Sequence, residues 1–374
     1  MPARVGLPTP DGPRNFLSDD EQTVPEASCA ERHERVPKNF SKRPGINMNI
    51  RQLLRRPFVS APFAEAADLS EKSMIVTGAG KGSLGYATAR QLALWGATVI
   101  VTTRSNTAAI VDALHSELDS SKEQASISGH DLDLCSTDSV EQFCQWYIRE
   151  HDERLDCLIN NAGVHLDLMS EWKEPRLTPD GFEMHWRTNY LGTVQLTDRL
   201  LPLLLQTGHR AGEARIVNVV SQLHSRGSND KLFDPDRRYE SWQAYGLSKL
   251  ALIHHSHELH RRYAQTDNIK SYCLHPGGKS GAYTNVADKG LEGHALLGLL
   301  RKLGAPLEKL FMATAHEGAQ TQLHCATSTR AEGGHYYMNL EVVAASKDSK
   351  DKDAATKLWH SAEEWLSTLK LPQA

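Results

Sequence analysis

From Ser73 onward, short apolar runs alternate with stretches of helical periodicity. Runs of strand type fall at 74–77, 98–103, 126–130, 155–160, 214–220, 270–275 and 335–338. Most of the intervals between them repeat apolar residues every three or four positions, as a helix with one buried face does. Such alternation predicts an α/β fold, a parallel sheet covered by helices on both faces. After the charged run SKDSKDKD at 346–353, read as a solvated loop, Leu358, Trp359, Ala362, Leu366 and Leu369 recur at helical spacing and predict a terminal helix packed on the domain.

Two regions stand apart from this pattern. Residues 1–47 are rich in Pro, Asp, Glu, Arg and Ser and have no apolar period, which predicts a disordered arm. Residues 48–72 form a lead-in that opens on Met48, a candidate alternative start; the segment is expected to pack on the domain surface, with an Arg-rich amphipathic leader as the second reading. The domain proper is assigned to 73–371. Within it, Leu296, Leu299, Leu300, Leu303, Leu307, Leu310 and Phe311 recur at helical spacing, interrupted by Gly298, Gly304 and Pro306. Segment 278–312 is therefore expected to form two short helices whose apolar face either packs on the core as an ordinary surface helix does or serves as a hinged lid.

The stretch that organises the domain is Met74 to Thr103. An apolar run meets a glycine cluster, a helical pattern follows, and a second apolar run closes the unit. Strand, tight turn, helix and strand make the first βαβ unit of a doubly wound, Rossmann-type sheet. Gly80, Gly82 and Gly85 fit G-x-G-x-x-G. Glycines there let the backbone turn sharply and approach a pyrophosphate lodged on the helix N-terminus.

Cofactor choice is read one strand later. An acidic residue ending the second strand would bind the ribose 2′-hydroxyl of NAD. The strand here ends Thr102-Thr103-Arg104-Ser105, and Lys81 lies in the glycine turn itself. Two cations placed for a 2′-phosphate predict NADP(H).

Composition narrows the class. The chain has 374 residues, 42 Lys and Arg against 46 Asp and Glu, and no basic block, so nucleic acid is not expected as a partner. Six scattered cysteines without a C-x-x-C argue against disulfides and zinc and favour a reducing, cytoplasmic setting. No apolar stretch is long enough to span a bilayer, and the N-terminus lacks the apolar core of a signal peptide. A peripheral membrane contact and a homodimer remain open. His254, His255, His257 and His260 crowd one helix with Glu258, but a single helix face would have to supply most ligands, so a solvated or dimer-facing surface is expected and no metal site. His224 is open between two roles, lining the substrate mouth or satisfying loop backbone.

Tyr245 and Lys249 stand four residues apart, on one face of a helix. An ammonium beside a phenol lowers its pKa by about 1–3 units, which suits it to proton transfer near neutrality. Ser221 ends the run RIVNVVS, at the strand end where ligands of such sheets gather.

With TGAGKGSLG, NNAG at 160–163, Asn189 in TNYLG, Ser221, YGLSK and HPG at 275–277, the chain resembles the short-chain dehydrogenase/reductase family over about 73–369, and within it the retinol dehydrogenase-like, WW-domain-oxidoreductase-like branch. The resemblance implies an oxidoreductase that moves a hydride between the nicotinamide and a carbonyl carbon of a small, apolar substrate. It implies that Tyr245 exchanges the proton, Lys249 tunes it and holds the nicotinamide ribose, Ser221 orients the carbonyl, and Asn189 stabilises a helix break and a water leading to Lys249. It further implies cofactor contacts by Gly78, Leu84, Asn161, Ala162, Gly163, Pro276 and Gly277. Of two carboxylates after the third strand, Asp131 and Asp133, the resemblance favours Asp133 with Leu134 at the adenine. The glycine turn is one residue longer than the family's, and a nicotinamide contact by Thr284 stays open. Rival readings are a cofactor-binding scaffold without turnover and an epimerase or lyase on the same fold.

Overall fold

A computed structural model describes residues 62–119, 126–151, 154–234, 237–277 and 313–369. The N-terminal arm, the lid segment 278–312 and Thr284 lie outside the described residues. Eight strands form one sheet in the order β3-β2-β1-β4-β5-β6-β7-β8. They are β1 Ser73–Val76, β2 Thr98–Thr103, β3 Ile127–Asp131, β4 Cys157–Asn160, β5 Ala214–Val219, β6 Ile269–His275, β7 Tyr336–Met338 and β8 Glu341–Val342. β1 to β7 are parallel; β8 turns back antiparallel, pairing Met338 with Glu341. The long helices are α1 Leu84–Leu94, α2 Thr107–Asp119, α3 Thr137–Glu150, α4 Gly192–Ala211, α5 Ser241–Tyr263, α6 Gln320–Thr327 and α7 Lys352–Thr368.

Side chains alternate across the strands and build two cores. Met74, Val76, Val99 and Val101 face one layer with Leu92 of α1, Leu114 and Leu118 of α2 and Leu323 of α6. Ile75, Ile100 and Leu158 face the other with Phe143 of α3, Leu196 and Leu200 of α4 and Leu259 of α5. Central strands buried on both faces read as unbroken apolar runs, which is why they are visible in sequence. The lead-in packs through Leu69, and the Ala64 N–H donates to Gln320 at 3.0 Å.

Strand order reverses between β2-β1 and β4-β5, and the C-terminal ends of β1 and β4 flank the gap. There the chain leaves the sheet in opposite directions, which opens a crevice for a ligand.

Two expectations need correction. The run 346–353 is no free loop. Asp348 accepts from the Asn229 backbone at 3.0 Å, Ser349 is buried, and Asp351 caps α7 by accepting from Asp353 and Ala354 at 3.0 Å. The histidines of α5 do not form a solvated face either. α7 covers α5, so His254 and His255 are buried, His254 against Asn229 at 2.9 Å and His255 stacked on Trp359 at 5.1 Å. Among the described residues no group of His, Cys, Asp and Glu is disposed to hold a metal.

Candidate active site

The glycine turn follows β1. Gly78 and Gly82 have φ of 71° and 77°, the left-handed region glycine enters without steric cost. A Cβ at Gly78 would stand 2.8 Å from Ala162 Cα, and one at Gly85 would stand 2.7 Å from the Gly78 carbonyl oxygen. At Gly80 a Cβ would meet nothing within 4 Å, so the bare backbone there leaves the crevice open. The extra residue of the turn is absorbed by Ser83, which caps α1 by accepting from the Tyr86 N–H and donates to the Gly78 carbonyl. The α1 N-terminus, with Leu84 and Gly85 buried in its first turn, thus stands at the crevice.

Across the crevice, Thr77 ties the turn to the end of β4. Its hydroxyl accepts from the backbone N–H of Asn161 at 3.0 Å and of Ala162 at 2.9 Å, while the Asn161 amide donates to the Thr77 carbonyl at 2.7 Å. Arg104 and Lys81 are exposed, at the end of β2 and in the turn. Asp131 is occupied at the start of α2, accepting from the Thr107 N–H at 2.8 Å, whereas Asp133 lies one turn further on and accepts from Cys135 at 2.9 Å. Leu134 is buried. These residues fit a dinucleotide: a glycine cradle and a helix N-terminus stand at the crevice, with exposed Lys81 in the turn and exposed Arg104 just after β2. Pro276 and Gly277, with φ of 78° at Gly277, end β6 on the same side of the sheet as Ser221 after β5.

The catalytic candidates converge beyond β5. Ser221 caps the turn Gln222–Arg226, accepting from the Leu223 N–H at 3.2 Å, and its hydroxyl lies near the Tyr245 phenol. One helical turn after Tyr245, Lys249 is buried and donates to the Val219 carbonyl at 3.1 Å. Its ammonium lies 5.8 Å from the Tyr245 ring centre. A Cβ on Gly163 would stand 3.1 Å from both Lys249 Nζ and Asn189 Oδ1, so Gly163 leaves room for the pair. Asn189 lies in a π-helical turn, Trp186–Leu191, of the kind that recurs at functional sites. Its amide accepts from the Val164 N–H at 2.8 Å and donates to the Val164 carbonyl at 2.9 Å and to Ser248 at 3.1 Å.

Electrostatics differ from the reading of the sequence. Burial pushes the Tyr245 phenol up to about 12, against a smaller opposing effect of the nearby Ser221 hydroxyl. Burial also lowers Lys249 to about 8. Lys249 does not depress the phenol here, because its ammonium is directed at the Val219 carbonyl and desolvation dominates both groups. Tyr245 therefore stands as a protonated acid at neutral pH.

His224 takes the backbone role. Its Nε2 accepts from the Ser346 N–H at 3.0 Å, so Nδ1 carries the proton and donates to the Ser221 carbonyl at 2.6 Å. Sequence reasoning missed Thr77, Gln322 and His165. Gln322 joins Thr88 to Asn161 from α6. His165 directly follows the NNAG stretch and Val164, but its place against Tyr245 depends on a tertiary contact.

A crevice at the switch point of a doubly wound sheet and a Ser, Tyr, Lys and Asn set beside it define a nicotinamide-dependent oxidoreductase. The pattern of the family described as short chain dehydrogenase matches residues 72–290. Human retinol dehydrogenase 12 is 33% identical over 319 residues, covering 84% of this chain and 92% of the relative. Human retinol dehydrogenase 14 is 36% identical over 318 residues, covering 80% and 87%. The WW domain-containing oxidoreductase of Danio rerio is 34% identical over 316 residues, covering 82% and 71%. An uncharacterised protein from Mycobacterium paratuberculosis superposes with a TM-score of 0.59 at 28% identity, covering 84% of this chain and 100% of that one. A short-chain dehydrogenase from Shigella flexneri complexed with NADP has a TM-score of 0.52 at 22% identity, covering 74% and 100%, and shares the fold. The chain belongs to the short-chain dehydrogenase family, in its retinol dehydrogenase-like branch. It is an oxidoreductase acting between alcohols and carbonyls with a nicotinamide cofactor. No described helix is long and apolar enough to cross a membrane.

Proposed function

We propose that the protein interconverts an apolar aldehyde or ketone and its alcohol with NADP(H), with Tyr245 as the proton donor and acceptor. The observation that carries this reading is the convergence of the Ser221 hydroxyl and the Tyr245 phenol, with the buried Lys249 ammonium 5.8 Å from the Tyr245 ring one helical turn away. When bound, the nicotinamide supplies or removes the hydride. Gly78, Gly80, Gly82, Leu84 and Gly85 would hold the pyrophosphate, Asp133, Leu134, Asn161, Ala162 and Gly163 the adenosine side, and Pro276 and Gly277 the nicotinamide end. Arg104 and Lys81 would meet the 2′-phosphate.

Ser221 donates to the substrate oxygen and keeps it in line with the phenol. In reduction Tyr245 delivers its proton to that oxygen as the carbonyl becomes an alcohol; in oxidation the same proton returns. Lys249 supplies positive charge where phenolate character develops, so its influence on Tyr245 is felt during the transfer. Asn189 fixes the Val164 backbone and thereby the wall opposite Lys249. Two relatives carry the name retinol dehydrogenase, which accords with an apolar alcohol.

The test is NADPH oxidation against aldehydes and ketones of graded chain length, for the wild type and Tyr245→Phe. The variant should lose about 10²–10⁴ in kcat while binding NADPH as before. A variant rate within a few-fold of wild type would overturn the assignment of Tyr245.

A further inference from the structure

The loop that leaves β4 is pinned at alternate residues. Asn189 brackets Val164; the Leu166 N–H donates to His185 Nε2 at 2.9 Å, and its carbonyl accepts from Ser241 at 2.7 Å. The Leu168 carbonyl accepts from Trp242 Nε1 at 3.1 Å. His185 is itself fixed, its Nδ1 bonded to buried Glu183 at 2.7 Å. Four separate side chains thus hold the backbone on both sides of one residue, His165.

His165 is 7% exposed, and its imidazole lies on the Tyr245 ring with centres 4.0 Å apart and planes 14° from parallel. Trp242 closes against the imidazole edge-on at 4.7 Å. The Nε2 atom is buried without a hydrogen-bond partner. One face of the ring is given to the proposed proton donor. Burial, reinforced by His185, Lys249 and Arg226, lowers His165 to about 3, so the imidazole stays neutral beside the Lys249 ammonium.

We propose that His165 is a positioning residue for Tyr245: the pinned loop presses its imidazole face on the phenol and holds the hydroxyl in line with Ser221. The inference rests on Tyr245 being the proton donor. Rotation of an unsupported phenol would move its oxygen away from Ser221, and misplacement of about 1 Å can cost about 10² in rate. The alternative is a ring that merely fills space, which would matter for folding and not for turnover.

Four variants of the full chain separate these. His165→Ala removes the support, His165→Phe restores a flat face, and both are also made in the Tyr245→Phe background. Turnover of an aldehyde used by the wild type, its KM, NADPH affinity by fluorescence titration and thermal midpoint are measured for each. His165→Ala should lose about tenfold or more in kcat, with NADPH affinity and KM changed by less than about threefold. His165→Phe should recover most of that rate. In the Tyr245→Phe background the alanine change should cost nothing further, because residues that act as one unit are not additive.

His165→Leu fills the site without a flat face and should show the same loss in kcat, so it carries the test if the alanine variant does not fold. A His165→Ala or His165→Leu enzyme with near wild-type kcat, beside an inactive Tyr245→Phe, would overturn the positioning role and leave the function intact. An equal loss in both backgrounds, or a loss matched by weaker NADPH binding, would also overturn it. An active Tyr245→Phe would instead bring down the reading beneath it.

Discussion

Thr77 and Asn161 hold each other twice: the Thr77 hydroxyl accepts the Asn161 backbone N–H at 3.0 Å, and the Asn161 amide donates to the Thr77 carbonyl at 2.7 Å. The same hydroxyl also takes the Ala162 N–H. Thr77→Val keeps the shape and leaves the Ala162 N–H without its acceptor, while the Asn161 N–H keeps the Ile159 carbonyl. It is expected to destabilise the fold by about 1–3 kcal/mol and to weaken the cofactor, since the glycine turn keeps only the Asn161 amide as its tie to β4. Urea unfolding together with NADPH titration checks both; an unchanged midpoint and affinity would show the clamp to be dispensable.

Arg187 gives a second expectation. It is fully buried and donates to Asp180 at 2.7 Å, to the Leu134 carbonyl at 2.7 Å and to Thr137 at 3.1 Å. It thereby joins the π-helical turn bearing Asn189 to the chain after Asp133. Arg187→Met should cost about 1–3 kcal/mol, because it strands the Leu134 carbonyl, while Asp180 is partly exposed and keeps the Thr178 hydroxyl. The unfolding midpoint in urea measures this, and retention of wild-type stability would refute it.

Cofactor preference turns on Arg104. A charged hydrogen bond contributes about 1.5–3 kcal/mol, so Arg104→Ala should lose about tenfold to a hundredfold in NADPH affinity and keep its NADH affinity. Titration of both cofactors decides it: equal losses, or a wild type that prefers NADH, would exclude the assignment.

Acid should unfold the protein through α5. His254 is lowered from 6.5 to about 4 and His255 from 6.5 to about 3, chiefly by burial. The folded state therefore binds fewer protons than the unfolded one below pH 6.5. Stability from each is fully present above that pH and is lost as the pH falls toward the folded values, at up to about 1.4 kcal/mol per pH unit per group. Thermal midpoints between pH 7 and pH 4 should drop less steeply for His255→Phe, which keeps the stack on Trp359 and cannot be protonated. Equal slopes would mean that other groups govern the acid limb.

Strands β1, β2, β4, β5 and β6 were legible because burial on both faces writes near-continuous apolar runs. β8 left no such mark. It has two residues, both exposed, and follows a tight turn through Asn339 and Leu340 at φ 54° and 66°, where leucine is an unusual occupant. The glycine turn and the Tyr245 to Lys249 spacing were readable since their chemistry is local. The histidines of α5 were misread because helical spacing shows which residues share a face and not how many neighbours the helix has; α7 supplies the cover from a hundred residues away in the chain. The rise in the Tyr245 pKa was hidden for the same reason, as spacing reports a nearby ammonium and says nothing of the desolvation around it.

The clamp between Thr77 and Asn161 joins residues 84 positions apart. It therefore requires a large loop to close, because α1, β2, α2, β3 and α3 lie between β1 and its sheet neighbour β4 in the chain. The dinucleotide crevice has no local precursor: its two walls meet only when the centre of the sheet zips shut. A folding intermediate holding only the β1-β2-β3 half would have the glycine turn but not its opposing wall. Cofactor capture during refolding should thus lag behind helix formation and report closure of the sheet centre, and saturating cofactor should stabilise the whole domain rather than its N-terminal half.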